Sequence, residues 1–200
     1  MRVLKYSFSL LFIQAYLYAN TYSFTSASCF SMGGAGSLSL SANTKIKNPA
    51  VFNYSRSLTT SIVKYPALIN VQSLNVNLPN QNMAFSYSLK FLSYGIFNGY
   101  NEVGEYNGTY RSYETWIDGC ISKKINYHPI FVGTSISLKS SNFYIHNIKT
   151  LSASLGSIRY FKNKNNAVGF SINQIGLKIS NNKFSTSAPS FTLSSSKKLK

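Results

Sequence analysis

The feature that most constrains the fold of this chain is an alternation of large apolar residues with small polar ones. It is clearest in MAFSYSLKFLSYG (Met83–Gly95), where every second residue from Met83 to Phe91 is large and apolar, and the residues between are Ala, Ser and Lys. Successive side chains of a β-strand point to opposite sides of the sheet. The period of two therefore predicts a strand with one apolar face and one small, polar face.

Seven further segments follow the same pattern, separated by clusters of Asn, Gly, Pro and Ser that are typical of turns. The eight candidate strands are Ser61–Pro66, Leu68–Pro79, Met83–Gly95, Thr109–Lys124, Pro129–Ser140, Thr150–Phe161, Asn166–Gly176 and Pro189–Lys200. No long stretch repeats apolar residues at helical spacing, so we predict an all-β, antiparallel chain. Most connections are short, whereas Gly95–Gly108 is predicted to be a longer loop.

The polar faces decide between a soluble sandwich and a membrane barrel. Ser, Thr, Gly and Asn fill them, and charged residues make up only 12% of the chain, against roughly 25% in ordinary soluble domains. Small polar groups suit the interior of an outer-membrane β-barrel, whose apolar face meets lipid. Aromatic residues near strand ends suit the interfacial girdles of such a barrel, with ordinary core packing as the alternative. These are Tyr94, Tyr110, Tyr160 and Phe161.

The N-terminus carries the pattern of a secretory signal peptide. Arg2 and Lys5 precede the apolar run Tyr6–Ala19, which is short for a membrane span and ends in a small residue. We therefore predict cleavage after Ala19 and a bacterial outer-membrane location, with a buried N-terminal segment as the alternative. The predicted organisation is a signal peptide at 1–19, a plug-like or periplasmic segment at 20–57, and barrel strands at 58–200.

The chain is strongly basic. Twenty Lys and Arg oppose four acids, giving a formal net charge of +16, which favours an anionic partner or surface. The lysines are spread over turns and strand ends, a distribution that suits lipid headgroups and lipopolysaccharide. Because they form no single stripe, and because a signal peptide removes the chain from the cytoplasm, we predict no nucleic-acid partner.

The chain offers little for catalysis. His128 and His146 lack acids or cysteines at metal-ligand spacing. Glu102 and Glu105 fall in the predicted loop, where a solvated role is expected. We predict no catalytic, cofactor-binding or metal-binding residue, and hence no enzyme.

Two short motifs, the glycine cluster and an Asn-Pro pair, are predicted to have structural roles. The cluster Gly33–Gly36 lacks the lysine and the strand-to-helix setting of a phosphate loop. Close chain approach explains these glycines better. Asn48 and Pro49 are predicted to set a turn before the first strand. Cys29 and Cys120 either form a disulfide or remain two thiols.

Four stretches together resemble the PorV/PorQ-like outer-membrane protein family. Met32–Asn53 resembles its N-terminal signature, a Gly-Gly-rich turn followed by Asn-Pro-Ala, and Phe91–Tyr110 resembles its hairpin. Asn166–Ile179 is similar to its strand ending in Asn-x-x-Gly, and Pro189–Lys200 to the strand ending of the PorQ branch. The chain departs from the family before the Asn-Pro, where an acidic pair is common and this chain reads Ala42-Asn43-Thr44-Lys45.

The resemblance implies a FadL-like outer-membrane barrel that serves the type IX (Por) secretion system, with the PorQ branch favoured. Implied partners are secretion-system or surface-attachment proteins, and the implied role is non-enzymatic. The residues that match the family motifs are Gly33, Gly34, Asn48, Pro49, Tyr94, Gly95, Glu102, Gly104, Gly108, Asn173 and Gly176. Two alternatives stay open: a FadL-like or porin-like transporter of apolar or small solutes, and a secreted β-sandwich adhesin.

Overall fold

The computed structural model describes residues 48–65, 68–125, 128–144, 146–161, 166–180 and 183–197. The predicted signal peptide, Gly33, Gly34 and Cys29 lie outside these ranges, so the expectations placed on them are not addressed by the structure. No helix within the described ranges is long and apolar enough to cross a membrane.

The described residues form nine β-strands in one antiparallel sheet, which confirms the all-β prediction. The strands are β1 (Ser57–Lys64), β2 (Asn70–Pro79), β3 (Met83–Tyr100), β4 (Tyr106–Lys124), β5 (Ile130–Phe143), β6 (His146–Tyr160), β7 (Asn166–Ser180), β8 (Lys183–Ser187) and β9 (Ser190–Lys197).

Each strand from β1 to β7 pairs with the next one along the chain. The final position is shared, because β8 pairs with Gly176–Ser180 of β7 and β9 pairs with Asn166–Asn173 of the same strand. Eight positions across the sheet are thus filled by nine strands. Within the described ranges β1 does not pair with β8 or β9, so the sheet is open.

The prediction of a long loop at Gly95–Gly108 is wrong. Strand β3 continues to Tyr100 and β4 begins at Tyr106, which leaves only residues 101–105 as a turn. The Gly and Asn content of this stretch is typical of loops, but aromatic rings on the two strands contact each other across the hairpin. Phe97 stacks on Tyr110 with ring centroids 5.4 Å apart.

A β-bulge in β7 keeps the apolar residues of that strand on one face of the sheet. In β7 the apolar positions change from even to odd numbers between Ile172 and Ile175. The extra residue lies at Asn173–Gln174, where Gln174 has a φ of 66° and the pairing with β6 shifts. Since a one-residue slip would turn the rest of the strand over, the bulge restores the face. A second bulge interrupts β3 between Ser93 and Ile96.

Two groups of buried apolar residues lie on the polar face of the sheet. The larger group joins residues from the segment that precedes β1 to residues of β3, β5, β6 and β7. Its members are Ala50, Val51, Phe52, Ala84, Phe131, Ile158 and Ala167. The smaller group consists of Val71, Leu92 and Trp116.

Candidate functional site

An uninterrupted row of aliphatic side chains crosses the apolar face of the sheet. One residue from each strand between β2 and β7 contributes, and each stands directly opposite the next in the strand pairing. The row consists of Leu74, Leu89, Ile117, Leu138, Leu151 and Leu177. The middle of the row is half exposed, with Ile117 and Leu151 each at 50%. This exposure is too systematic for scattered surface residues, and a contiguous apolar patch of this kind marks an interaction surface.

Basic residues bound the apolar face at both ends of its strands. On β6 the residues Lys149 and Arg159 lie on the same side as Leu151 and Leu155, one at each end. On β4, Lys123 lies at one end, and Arg111 lies next to Ser112, where the pairing with β5 begins. Ten residues of strand cover about 33 Å, which at the ~40° tilt usual for barrels spans about 25 Å. That height matches the apolar band of an outer-membrane barrel.

The polar face is buried, which is the reverse of a soluble sheet. It is lined by Ser and Asn side chains that are less than a tenth exposed. They include Ser73, Asn75, Asn77, Ser86, Ser112, Ser122, Ser135, Ser141, Ser152, Ser154, Ser171 and Asn173. Ser61 and Ser73 contact each other by a hydroxyl hydrogen bond of 2.7 Å across β1 and β2.

Near the centre of the polar face, Trp116 lies between two lysines. Lys90 on β3, Trp116 on β4 and Lys139 on β5 stand directly opposite one another in the strand pairing. The Nζ atoms of Lys90 and Lys139 lie 4.9 Å and 5.0 Å from the Trp116 ring, within the range of a cation–π interaction. Lys90 and Trp116 are both almost fully buried.

Two of the four acids balance these lysines. The Lys139 Nζ lies 3.0 Å from Glu114 Oε2, and both side chains are largely buried. Asp118 accepts a hydrogen bond from the Ser137 hydroxyl. We call Lys90, Glu114, Trp116, Asp118 and Lys139 the central charged cluster. It carries two positive and two negative charges and is therefore formally neutral.

Residues 48–52 cover part of the polar face and begin with the predicted turn. The Ala50 amide donates to Asn48 Oδ1 at 3.0 Å, and the Val51 amide donates to the Asn48 carbonyl at 3.2 Å. An Asn side chain that accepts from the backbone two residues ahead stabilises such a turn. Phe52 then packs on Phe131 with ring centroids 5.5 Å apart.

The sheet makes room for this segment through glycines that face it. A Cβ atom added at Gly133 would overlap the Pro49 carbonyl, and one added at Gly156 would overlap the Asn48 side chain. The Cys120 thiol donates to the Pro49 carbonyl at 3.4 Å. The absent side chains on β5 and β6 are thus what allows the turn to approach the backbone of the sheet.

Asn77 ties the same segment to the first strands. Its Nδ2 donates to the Asn53 carbonyl at 3.2 Å and to the Ser55 carbonyl at 2.6 Å. Its Oδ1 accepts from the Ser86 hydroxyl at 2.7 Å. One buried amide therefore fixes the chain before β1 to both β2 and β3.

The structure distributes the remaining family-motif residues over two regions. Tyr94 and Gly95 form the bulge of β3, where Gly95 has a φ of 96°. Glu102 and Gly104 lie in the β3–β4 turn, and Gly108 lies just beyond it in β4. Asn173 and Gly176 flank Gln174 in β7, and a Cβ atom at Gly176 would overlap the Leu151 carbonyl. These residues shape the backbone and do not converge on one site.

Sequence reasoning missed the central charged cluster, although a signal was present. Lys90, Trp116 and Lys139 occupy positions in phase with the small polar residues of their strands, and a charge at such a position marks a buried polar face. Of the four acids, Glu114 pairs with Lys139, and Glu102 and Glu105 lie in the β3–β4 turn.

Within the described ranges, no group of three or more His, Cys, Asp and Glu residues is arranged to hold a metal ion. Comparison with protein-family models, with curated proteins and with solved structures gives no match. The site consists of two faces, one apolar and exposed, the other polar and buried.

Proposed function

We propose that this chain is an outer-membrane β-barrel protein that serves type IX secretion or surface attachment without catalysing a reaction. The observation that carries the membrane part is the half-exposed aliphatic row from Leu74 to Leu177, bounded by basic residues. In water such a face is costly, because about 25 cal/mol is lost for each Å² of apolar surface left exposed. In lipid the same face contacts hydrocarbon instead of water, so this cost is absent.

The barrel completes the proposal because lipid offers no hydrogen-bond partner to an open sheet edge. In the proposed assembly the free edges of β1 and of β8 and β9 are paired. A barrel of this kind has a polar interior, which the buried Ser and Asn residues supply. The segment from Asn48 to Phe52 then occupies part of that interior.

The secretion part of the proposal rests on the family resemblance of four stretches of sequence. It is supported by the way the polar face is filled. Phe52 is buried there together with Lys90, Glu114 and Trp116 of the central charged cluster, which favours a scaffold over a wide conduit for solutes.

The sharpest test of the membrane part replaces Ile117 with Arg in the middle of the aliphatic row. In a lipid-facing position we expect a loss of about 2–4 kcal/mol in the free energy of unfolding. It is measured by urea denaturation of the full chain folded in phospholipid vesicles. The matched control is Val103→Arg in the β3–β4 turn, where the side chain is 84% exposed and we expect no more than about 0.5 kcal/mol.

A water-facing sheet gives the opposite result, since Arg at a half-exposed position of a soluble protein changes stability little. Equal effects of Ile117→Arg and Val103→Arg would therefore reject the membrane assignment. Fractionation of the native chain with the outer membrane, and a shift in its gel migration on heating in SDS, provide independent checks.

The secretion part is tested in the producing organism. Loss of the chain is expected to reduce surface-attached proteins, and the tagged chain is expected to co-purify with a surface-attachment complex. Normal surface attachment, together with purification of the chain alone, contradicts the secretion role while leaving the membrane assignment intact.

A further inference from the structure

The hairpin formed by Tyr94–Arg111, here called the aromatic hairpin, extends beyond the rest of the sheet. Strand β2 pairs with β3 only as far as Ser93, and β5 pairs with β4 only from Ser112 onward. Beyond these points β3 and β4 pair only with each other in the described part of the chain. Seven strand residues project about 20 Å, so the hairpin reaches well past its neighbours.

The turn of the aromatic hairpin is held by its own hydrogen bonds. Asn101 Oδ1 accepts from the Val103 amide at 3.1 Å and from the Glu105 amide at 2.7 Å. Its Nδ2 donates to Glu105 Oε2 at 2.9 Å. Behind the turn, Tyr100 and Tyr106 contact edge to face at 6.1 Å. The hairpin is thus ordered before any partner arrives, which lowers the entropic cost of binding.

The amino-acid composition of the aromatic hairpin differs from that of the rest of the chain and resembles that of a binding surface. No lysine occurs between Lys90 and Lys123, although Lys and Arg together number twenty in the whole chain. The hairpin consists mainly of Tyr, Gly and Asn, the residues enriched in antibody loops. Tyr100 and Tyr106 are each more than 60% exposed. Exposed aromatic residues without lysine are the composition expected at the core of a protein interface.

The backbone edge of β3 in the hairpin is unprotected. No strand of the described ranges pairs with the outer edge of Ile96–Tyr100, and this stretch contains no Lys or Pro. Natural proteins protect free edges with such residues. The opposite side of the sheet does so, with Lys183 in β8 and Pro189 between β8 and β9. An edge left open in this way accepts an added strand.

Charge indicates what kind of strand fits. Glu102 and Glu105 are exposed in the turn, and in the described part of the chain no basic side chain lies within ion-pair distance of either. They are half of all the acids in a chain of net charge +16. A second copy that paired in parallel along the same edge would place an identical acidic turn beside Glu102 and Glu105, where like charges repel. A glycan is a poorer partner, because it has no peptide main chain that could form hydrogen bonds with the strand edge.

We propose that the aromatic hairpin binds an extended basic polypeptide segment, which adds as a strand to the Ile96–Tyr100 edge and places its cations near Glu102 and Glu105. This proposal rests on the proposed function only for the side of the membrane on which the partner lies. It deepens that function by naming the chemistry of the protein that is bound.

The test measures binding of labelled twelve-residue peptides to the full chain in neutral detergent micelles by fluorescence anisotropy. The probe alternates Lys with Thr or Val. One matched peptide carries Glu in place of Lys, and another keeps Lys but is N-methylated at every second residue. We expect the unmodified Lys peptide to bind at least about tenfold tighter than either, since the first change reverses the charge and the second removes main-chain donors.

The protein side of the test is the double variant Glu102→Gln with Glu105→Gln, which keeps the acceptor for Asn101. We expect about three- to tenfold weaker binding and a flatter dependence on salt. The control is Lys123→Gln with Lys124→Gln at the other end of the sheet, which should not weaken binding. Both variants are expected to remain in the membrane fraction, so a failure here is distinguishable from a failure of the membrane assignment.

Three results would overturn the proposal. The first is equal binding of the three peptides, or no effect of the Glu variants. The second is efficient disulfide cross-linking of Asn98→Cys to itself in membranes, which identifies a second copy as the occupant. The third is displacement of the peptide by purified lipopolysaccharide with no preference for Lys over Glu, which identifies the ligand as a saccharide or lipid.

Discussion

Gly133 lies on the polar face of the sheet and Gly119 on the apolar face, and a side chain added at the two positions has different expected effects. Gly133 faces the turn at Pro49, whereas an added Cβ at Gly119 meets nothing within 4 Å on the apolar face. We therefore expect Gly133→Val to prevent assembly, because overlap with backbone costs at least about 1–3 kcal/mol. Gly119→Val should assemble normally. The measurement is the fraction of each variant that shows heat-modifiable migration, and equal fractions would contradict the seating of residues 48–52.

The ion pair between Lys139 and Glu114 permits a second test at the scale of residues. Removing one partner of a buried pair leaves the other charge without compensation, which costs about 3–5 kcal/mol. Replacing both partners by apolar residues of similar size is often nearly neutral. We expect Lys139→Met to destabilise the chain strongly and the double variant with Glu114→Leu to recover most of the loss, as measured by urea denaturation. Additive effects would mean that the two side chains are not coupled.

Among the strands, β7 depends most on its bulge, because the bulge keeps its apolar residues on one face. Deleting Gln174 removes the bulge and turns Ile175, Leu177 and Ile179 toward the polar face, so we expect the deletion variant to fail to assemble. Gln174→Gly keeps the residue count and suits the φ of 66°. We expect it to assemble and to gain up to about 1 kcal/mol. Assembly of the deletion variant at normal yield would show that the bulge does not set the facing of β7.

The longer strands, β2 to β7, were predictable from the sequence, because alternation over ten or more residues leaves little choice of structure. The five residues of β8 are too few to show a pattern. The sequence predicts a loop where the aromatic hairpin lies, because Gly and Asn are typical of turns. Contacts such as that between Phe97 and Tyr110 depend on strand pairing. For the same reason the pairing of Lys90, Trp116 and Lys139, on three different strands, could not be read from any one segment.

For the whole molecule, the filled polar face has a measurable consequence in the proposed barrel. Phe52, Trp116 and Lys90 are each less than a tenth exposed, so large side chains would occupy part of the interior of the proposed barrel. We expect the chain reconstituted in liposomes to pass small solutes at a rate close to that of empty liposomes. A parallel sample with an open porin confirms that the assay detects flux. Robust flux through the native chain would favour the transporter alternative instead.

The packing of residues 48–52 on the polar face also constrains the order in which the chain folds. Each strand from β1 to β7 pairs with the next strand along the chain, so none of these pairings has to wait for a distant part of the chain. The hydrogen bond from Asn48 to the Ser157 carbonyl, at 3.5 Å, joins residues 109 positions apart. It cannot form until β6 is in place. Residues 48–52, the first of the described chain, are therefore expected to be among the last to reach their final contacts. A slow step in folding is expected to depend on this contact.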